Sequence, residues 1–422
     1  MANDYIIKNS NGKDIVYNNV EFVSLTDVNG NKTVFSEYKE DLRMYGKYNV
    51  KVIDFDGSLL KEEWLNSGDV FILPDAPVHE HLIFQQWVSQ AEIVDNSITV
   101  IDSDILIGPN YTTSNMTNYL FFEFTKKTSL TINIAIRLNN NLRGGIIIDW
   151  GDGSVTDVTT NGAGRFVFPH TYGNIGNYVV KIYPADENNL PEYWLGSYVV
   201  YSSETSSNVN YSLKKVYISD TTQIYNYCFY HCYGLETVSL PSGITSIKWN
   251  AFDSCINIKT MTLPANLIFL GCDSESTSTS YSSGLTGCYS IETLVIPNTL
   301  TTICNSGFSR CGSLTKFKFS NDFSGKINSS LFYDCQKLKI VEFKNVLNLA
   351  SQSFYGCKLV EKYDFSKCSA VPTLASTNVF NGISETCKIY VPDDLYDTWI
   401  NSTNWTTYAN YIYKASEMGG AE

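Results

Sequence analysis

The chain has little of what membrane proteins and most enzymes are built from. Its longest apolar stretches, such as Ile146 to Ile148 and Leu267 to Leu270, fall far short of the ~18 to 20 residues that cross a bilayer, so no membrane insertion is expected. Only 17% of residues are charged, and acids outnumber bases to give a formal net charge of -13. No run of Lys and Arg reverses that sign locally, which argues against a nucleic-acid partner. Histidine is scarce: His79, His81, His170 and His231 are the whole supply. There is no Gly-x-Ser-x-Gly elbow, phosphate loop or His-Glu-x-x-His motif. The expectation is therefore a non-catalytic chain without cofactor or metal; a pair of glycosidase carboxylates is the enzymatic alternative that composition leaves open. The opening Met1-Ala2-Asn3-Asp4-Tyr5 carries no basic segment followed by an apolar run, so no secretion signal is visible. Cysteine is absent before Cys228, and all eleven lie between Cys228 and Cys387. An odd number cannot all pair within the chain.

What is present points to β structure. The hydrophobic fraction is 43%, and polarity is carried by Ser, Thr, Asn and 29 tyrosines rather than by charge, the profile of a β-rich surface protein. A length of 422 residues suggests three or four modules.

A repeat dominates the second half. Around Cys232 a large apolar residue stands three before (Phe229), and aliphatics stand three, six and eight after (Leu235, Val238, Leu240). The frame recurs at Cys255, Cys288, Cys311, Cys335 and Cys357, with steps of 23, 33, 23, 24 and 22 residues. The long step holds a polar insertion from Cys272 to Ser283. In five of the six units another aliphatic precedes the aromatic by five (Ile224, Ile247, Ile303, Ile327, Leu349). Units this small cannot bury their apolar positions alone and must stack into a solenoid with one continuous core. Alternation in pieces such as Val238-Ser239-Leu240 gives short strands, which line up as a parallel sheet with ~4.8 Å between turns. Cys232, Cys255, Cys288, Cys311, Cys335 and Cys357 become a buried column of free thiols. A spacing near 23 residues does not suit a zinc site. Cys228, Cys272, Cys304, Cys368 and Cys387 fall outside the column.

Over roughly residues 210 to 392 this frame resembles the bacterial surface leucine-rich repeats of the BspA type. The segment from Lys388 to Trp399, followed by Asn404-Trp405, resembles the closing unit of such proteins. There Asp393 or Asp394 is expected to cap a short helix carrying Leu395, Tyr396, Trp399 and Ile400. Upstream, Ile146-Ile-Ile-Asp-Trp150-Gly-Asp152-Gly-Ser154 and His170-Thr-Tyr172 resemble the PKD domain, an immunoglobulin-like sandwich, with Asp152 and His170 in structural roles. Val50-Lys-Val-Ile-Asp-Phe-Asp-Gly57, with Phe84, Trp87 and a close at Tyr111, resembles the β-grasp module of internalin B-repeats. His79 and His81 are expected in a solvated loop there. Residues 11 to 20 are similar to the openings of virion proteins of gut bacteriophages.

The expected architecture is mainly β. It comprises a β-hairpin attachment segment (1–46), a β-grasp module (47–111), a PKD-like immunoglobulin-fold domain (112–200), the leucine-rich-repeat solenoid (201–392) and a C-terminal cap and tail (393–422). Modules of extracellular type without an export signal lead to a phage virion surface protein (tail fibre, baseplate adhesin or head fibre) attaching to the host envelope, located on the virion surface. The alternative is a bacterial cell-surface or secreted leucine-rich-repeat adhesin. Residues 1–46 would then meet other virion proteins, the solenoid would meet a host glycan or protein, and a homo-oligomer is compatible with both readings. Candidate contact residues are the outward tyrosines flanking the cysteines (Tyr230, Tyr233, Tyr289, Tyr333, Tyr355), whose rings are flat and amphipathic. On the strand face the candidates are Thr237, Thr260, Thr293, Lys316 and Lys318, with Ser239 and Thr262 also expected to point outward.

The column makes a direct prediction. In the native protein Cys255, Cys311 and Cys335 resist a thiol reagent, and all react after denaturation. Mass spectrometry of labelled peptides checks this, and rapid native labelling or a disulfide between them defeats it.

Overall fold

A computed structural model describes residues 47–418 except 102, 125–129, 139–144, 159–161, 187, 189–192, 202–210, 273–282, 320–322, 324 and 345. Within the first 46 residues it describes four strands, which form two antiparallel pairs, Tyr5–Lys8 with Asp14–Tyr17 and Ser24–Thr26 with Lys32–Val34. The inserted stretch 273–282 lies outside the described residues.

In the next module the alternating apolar residues of Lys47–Ile53 and Ile105–Thr113 make the two middle strands, which run parallel. Leu59–Asn66 and Leu82–Ser89 flank them antiparallel. Val50, Val52, Phe71, Trp87, Ile98 and Ile107 fill the core. His79 corrects the solvated-loop expectation: its Nε2 lies 2.7 Å from the buried Asp54 carboxylate, and its ring packs edge-on to Phe55 and Tyr111.

The third module is two facing sheets. One carries Gly164–Tyr172, Leu130–Leu138 and Tyr193–Tyr201. The other carries Val155–Val158, Ile146–Asp149, Gly176–Pro184 and Asn118–Phe124, and it does not stop there. Asn118–Phe124 also pairs with Leu213–Tyr217, the first solenoid strand, which pairs in parallel with Thr237–Ser239. Sandwich and solenoid therefore share one sheet. The Asp-Gly turn and the His-Thr-Tyr segment meet at its edge. Asp152 accepts from Ser154 N and holds His170 Nε2 at 2.8 Å, while His170 stacks on Trp150. Burial opposes ionisation of Asp152, but the hydrogen bonds from Ser154 and His170 outweigh it and hold the carboxyl below its usual range.

Each solenoid turn contributes one strand to the main column, for example Lys316–Lys318, Ile340–Glu342 and Lys362–Asp364, all in parallel register. A second column of two-residue strands holds Ile224, Ile247, Leu270 and Ile303 in one register. Leu270 fills the place missing from the sequence frame, because the insertion follows it and displaces it from its cysteine. Phe229 and Phe252 stack at 5.1 Å, and Phe308, Phe332, Phe354 and Phe380 continue the column at 5.3 to 5.6 Å.

The cysteine corner has a geometry that the spacing did not reveal. The residue before every ladder cysteine has positive φ: His231, Ser254, Gly287, Arg310, Asp334 and Gly356. A second left-handed residue, four earlier, occurs at Tyr227, Asn250, Ser306, Ser330 and Gln352. This lets amides at the corner bond outward to the next turn, as Phe308 N does to Leu331 O (2.9 Å) and Arg310 N to Tyr333 O (2.7 Å). From Cys255 onward each ladder thiol donates to the previous turn: Cys255 to Phe229 O (3.1 Å), Cys288 to Phe252 O (3.2 Å), Cys311 to Leu285 O (3.3 Å), Cys335 to Phe308 O (3.1 Å) and Cys357 to Phe332 O (3.0 Å). All eleven cysteines are free and buried, those outside the column included. Burial pushes the Cys232 and Cys311 thiols up to about 12.

At the far end the helix Tyr396–Ile400 and the 3-10 segment Trp405–Tyr411 seat Trp399 and Trp405 on Phe365. The helix has no side-chain cap, contrary to the role expected of Asp393 or Asp394. Asp393 instead accepts from Ser416 N at 2.9 Å, which fastens the tail after the last parallel strand, Ile412–Lys414.

The exposed Arg310 isolates the cost of the left-handed corner. Arg310→Gly is expected to leave thermal stability unchanged or raise it, whereas Arg310→Val costs ~1 to 2 kcal/mol. Urea melts of the two variants check the sign, and equal effects would remove backbone strain as the cause.

Candidate binding surfaces

The strand face of the solenoid, expected to be open, is largely covered by the chain's own second module. The strand Ile105–Thr113 lies across the turns carrying Thr237–Ser239, Thr260–Thr262 and Thr293–Val295. Ser239 and Thr262 are therefore buried, at 2% and 5% exposure, and Thr237 and Thr260 are only partly exposed. This corrects their assignment as a free outward row. Two glycines permit the approach. A Cβ on Gly57 would sit 2.5 Å from Thr260 Oγ1, and one on Gly108 would collide with Thr262 Oγ1 and lie 2.9 Å from Val295 Cγ2. Ile53, Val88 and Val295 form a small apolar cluster across the seam.

Amide side chains of the module read the backbone that follows each solenoid strand. The buried Asn110 accepts from Ala265 N (2.8 Å) through Oδ1 and donates to Leu263 O (3.4 Å) through Nδ2. Gln85 accepts from Ser242 N (2.6 Å) and donates to Asp220 (3.0 Å). Gln90 Nε2 donates to Lys318 O (2.7 Å), and Gln90 O accepts from Asn298 Nδ2 (2.6 Å). Amides suit this seam because each offers a donor and an acceptor without a charge to desolvate.

Beyond the covered turns the two parts diverge and leave a cleft of about 880 Å³. Its walls include Tyr48, Lys51, Ile101 and Asp104 of the module, and its floor is the strand column from Thr293 to Asp364, with Lys344 and Lys367 beside it. Lys316 and Lys318 belong to this floor, but they are engaged. Lys316 lies 2.9 Å from Glu342 and 3.7 Å from Asp104, and Lys318 donates to Ser103 Oγ at 2.7 Å. Burial would raise the Glu342 carboxyl, yet Lys316, Lys318 and Lys362 prevail and hold it below the usual carboxylate range. The lining of the whole cleft thus mixes six amines with five carboxylates, with the amines in excess on the floor itself.

The tyrosines split into three groups. Tyr230 and Tyr233 flank His231 in stacked contact at 3.7 and 5.3 Å. Tyr289 stands alone at 49% exposure. Tyr333 and Tyr355 stack at 5.1 Å and 4° on successive turns. Tyr198, Tyr211 and Tyr227, which join the first group, carry no repeat signal and are invisible to the period. Among the described residues no group of three His, Cys, Asp or Glu could hold a metal ion, and no helix is long and apolar enough to cross a membrane.

The stacked turns, parallel strand columns and end cap define a leucine-rich-repeat solenoid on a mainly β chain. More particularly, the chain belongs to the family described as the BspA type leucine rich repeat region, whose model matches six copies over residues 166–275 and 278–398, more than half the chain. No curated protein matches it. Similar solved structures include a leucine rich repeat protein of T. pallidum, at 25% identity over 43% of this chain and 76% of that one with a TM-score of 0.30. A leucine rich cell surface protein from Faecalibacterium prausnitzii matches at 18% identity over 43% of this chain and 60% of that one, TM-score 0.24. A leucine-rich repeat protein from Bacteroides ovatus matches at 18% over 42% and 60%, TM-score 0.20.

The seam is testable at one atom. Gly108→Val is expected to destabilise by about 1 to 3 kcal/mol through overpacking, and Asn110→Ala by a similar ~1 to 3 kcal/mol by orphaning the Ala265 amide. Both should raise protease cleavage between residues 47 and 112 before global unfolding. Wild-type resistance in both would mean that the module is not held on the strand face.

Proposed function

We propose that the chain is a non-catalytic adhesin of a bacterial surface, either displayed or secreted, that takes an extended host glycan or protein segment into the cleft between the second module and the solenoid. Membership of the BspA-type family supports the surface assignment. The observation that carries the reading is the cleft itself. Its floor repeats polar donors and acceptors over successive turns, a spacing of ~4.8 Å that suits a polymer better than a compact metabolite. The His pairs with Asp54 and Asp152 serve as turn clamps: Asp54 also accepts from the Tyr111 hydroxyl, and Asp152 accepts from Ser154 through both its amide and its hydroxyl. Attachment to virion partners through residues 1–46 draws its support from the resemblance of residues 11 to 20, and no feature of the two hairpins there adds to it.

The test has two arms. Antibody to the native chain should label unpermeabilised cells that make it, and purified chain should adsorb saturably to intact epithelial cells. Reversing Lys344→Glu together with Lys367→Glu should weaken adsorption by about tenfold, the equivalent of ~1.4 kcal/mol, with an unchanged circular dichroism spectrum. Loss of both labelling and adsorption overturns the adhesin reading; adsorption indifferent to the double reversal moves the site out of the cleft.

A further inference from the structure

The junction of the sandwich and the first solenoid turn carries six aromatic rings in one connected group. Tyr198 stacks on Tyr227 at 5.2 Å and 6°, and both meet Tyr230 edge-on. Tyr230 stacks on His231, His231 on Tyr233, and Tyr233 leans on Tyr211 at 5.1 Å. The two terminal rings are the open ones: Tyr198 is 39% exposed and Tyr211 48%. Tyr198 lies flat on Tyr227, and Tyr211 is tilted by 38° on Tyr233.

The solenoid's packing does not ask for rings here. At the left-handed corners the later turns use Asn250 and Ser254, Ser306 and Arg310, Ser330 and Asp334, or Gln352 and Gly356, and only the first turn uses Tyr227 and His231. Small polar residues and glycine tolerate that conformation better than an aromatic does. Tyr198 is a third such case, at φ 52, on the sandwich strand Tyr193–Tyr201. Its amide donates to Tyr227 O (2.7 Å) and the Val199 amide to Cys228 O (2.8 Å), so the strand is fixed on the corner and the Tyr198 ring is laid over Tyr227. Two tyrosines, Tyr198 and Tyr227, held in a backbone region that disfavours them and stacked in one patch, indicate a surface kept for its rings.

Two opposite charges stand near the patch, Arg165 by Tyr198 and Asp253 by Tyr230, His231 and Tyr233. Burial, together with Asp253 and the neighbouring phenols, raises the Tyr230 hydroxyl, and burial raises Tyr198 and Tyr233 as well. Burial lowers His231 despite Asp253, which favours the neutral imidazole. The patch thus offers aromatic rings at its ends with hydroxyls between them, and the opposite charges of Arg165 and Asp253 nearby leave it no net charge with which to select a phosphate or a sulfate. Neutral pyranose rings match it, setting their C–H faces on the end tyrosines and their hydroxyls against the phenolic oxygens.

Resting on the reading of this chain as a binding protein, we propose that this patch is a second, separate site that binds a neutral oligosaccharide of several residues. The probes are four neutral hexasaccharides, of β-1,4-glucose, α-1,4-glucose, mannose and N-acetylglucosamine, titrated calorimetrically against the full chain. At least one should bind. Tyr198→Ala and Tyr211→Ala should each weaken it about tenfold, whereas Tyr198→Phe should stay within a few-fold, since the ring persists. The charge reversals in the cleft should leave saccharide binding unaltered. Failure of all four sugars, or binding that survives both alanine variants in folded protein, overturns the site. Cell adsorption lost with the cleft reversals but retained in the tyrosine variants would leave the adhesin reading intact.

Discussion

The solenoid depends on a backbone hydrogen-bond ladder at one corner. Where the chain passes its cysteine, two left-handed residues reverse it within a few positions and turn alternate amides toward the next coil. Buried amides must find partners, and in this geometry the partners lie on a neighbouring turn. The aromatic carbonyl closes its own turn with the cysteine amide, as Phe308 O does with Cys311 N, and takes the thiol of the next turn on its second lone pair. Cysteine suits the place because its S–H is a donor weak enough to be buried at little desolvation cost, on a side chain small enough for the inside of a bend. The phenylalanine and strand columns stay in register because this ladder fixes the spacing between coils.

The period, the thiol column, the strand column and the cap residues were legible because each repeats or closes a pattern set by local spacing. Leu270 was hidden by the insertion that shifts it from its cysteine. The left-handed corners were hidden for a different reason: Ser, Asn, Gln, Arg, His and Tyr occupy them as well as Gly, so no glycine rhythm marks them. Asp393 was misassigned because its partner, Ser416, lies 23 residues away, beyond any local capping rule. The burial of Ser239 and Thr262 was out of reach altogether. It follows from the docking of a module 128 or more positions upstream, whose fit rests on the missing Cβ of Gly57 and Gly108. Of the candidate site, Lys316 and Lys318 were correctly suspected as strand-face residues, but their partners in the module were not readable.

Those contacts change how the modules work together. A sheet that continues from Val155–Val158 through Asn118–Phe124 to Thr237–Ser239 removes the open first edge of the solenoid, which would otherwise template aggregation. The sandwich acts as the N-terminal cap, and Trp399 and Trp405 act as the C-terminal one. The second module then covers the early turns from the side. Interfaces with amide clasps, a small apolar patch and an aromatic contact such as Phe55 with Tyr217 favour one arrangement over a freely jointed chain.

That arrangement determines what the surface can offer. With the early strand face sealed, the regular rows of hydroxyls that a bare solenoid would display are not available as one long platform. The later turns keep a cleft of mixed amines and carboxylates under a module wall, while the first turn keeps an aromatic strip on another part of the surface. A cleft of paired amines and carboxylates discriminates by where each charge meets its complement, so a mismatched ligand strands a desolvated ion. A tyrosine strip discriminates by shape and stacking and tolerates variation in hydroxyl pattern. Held on one shared frame, the two proposed sites would raise each other's effective concentration wherever a single surface carried both ligands. The rigidity that starts at the cysteine corner would fix the distance between the two and so decide whether one surface could engage both.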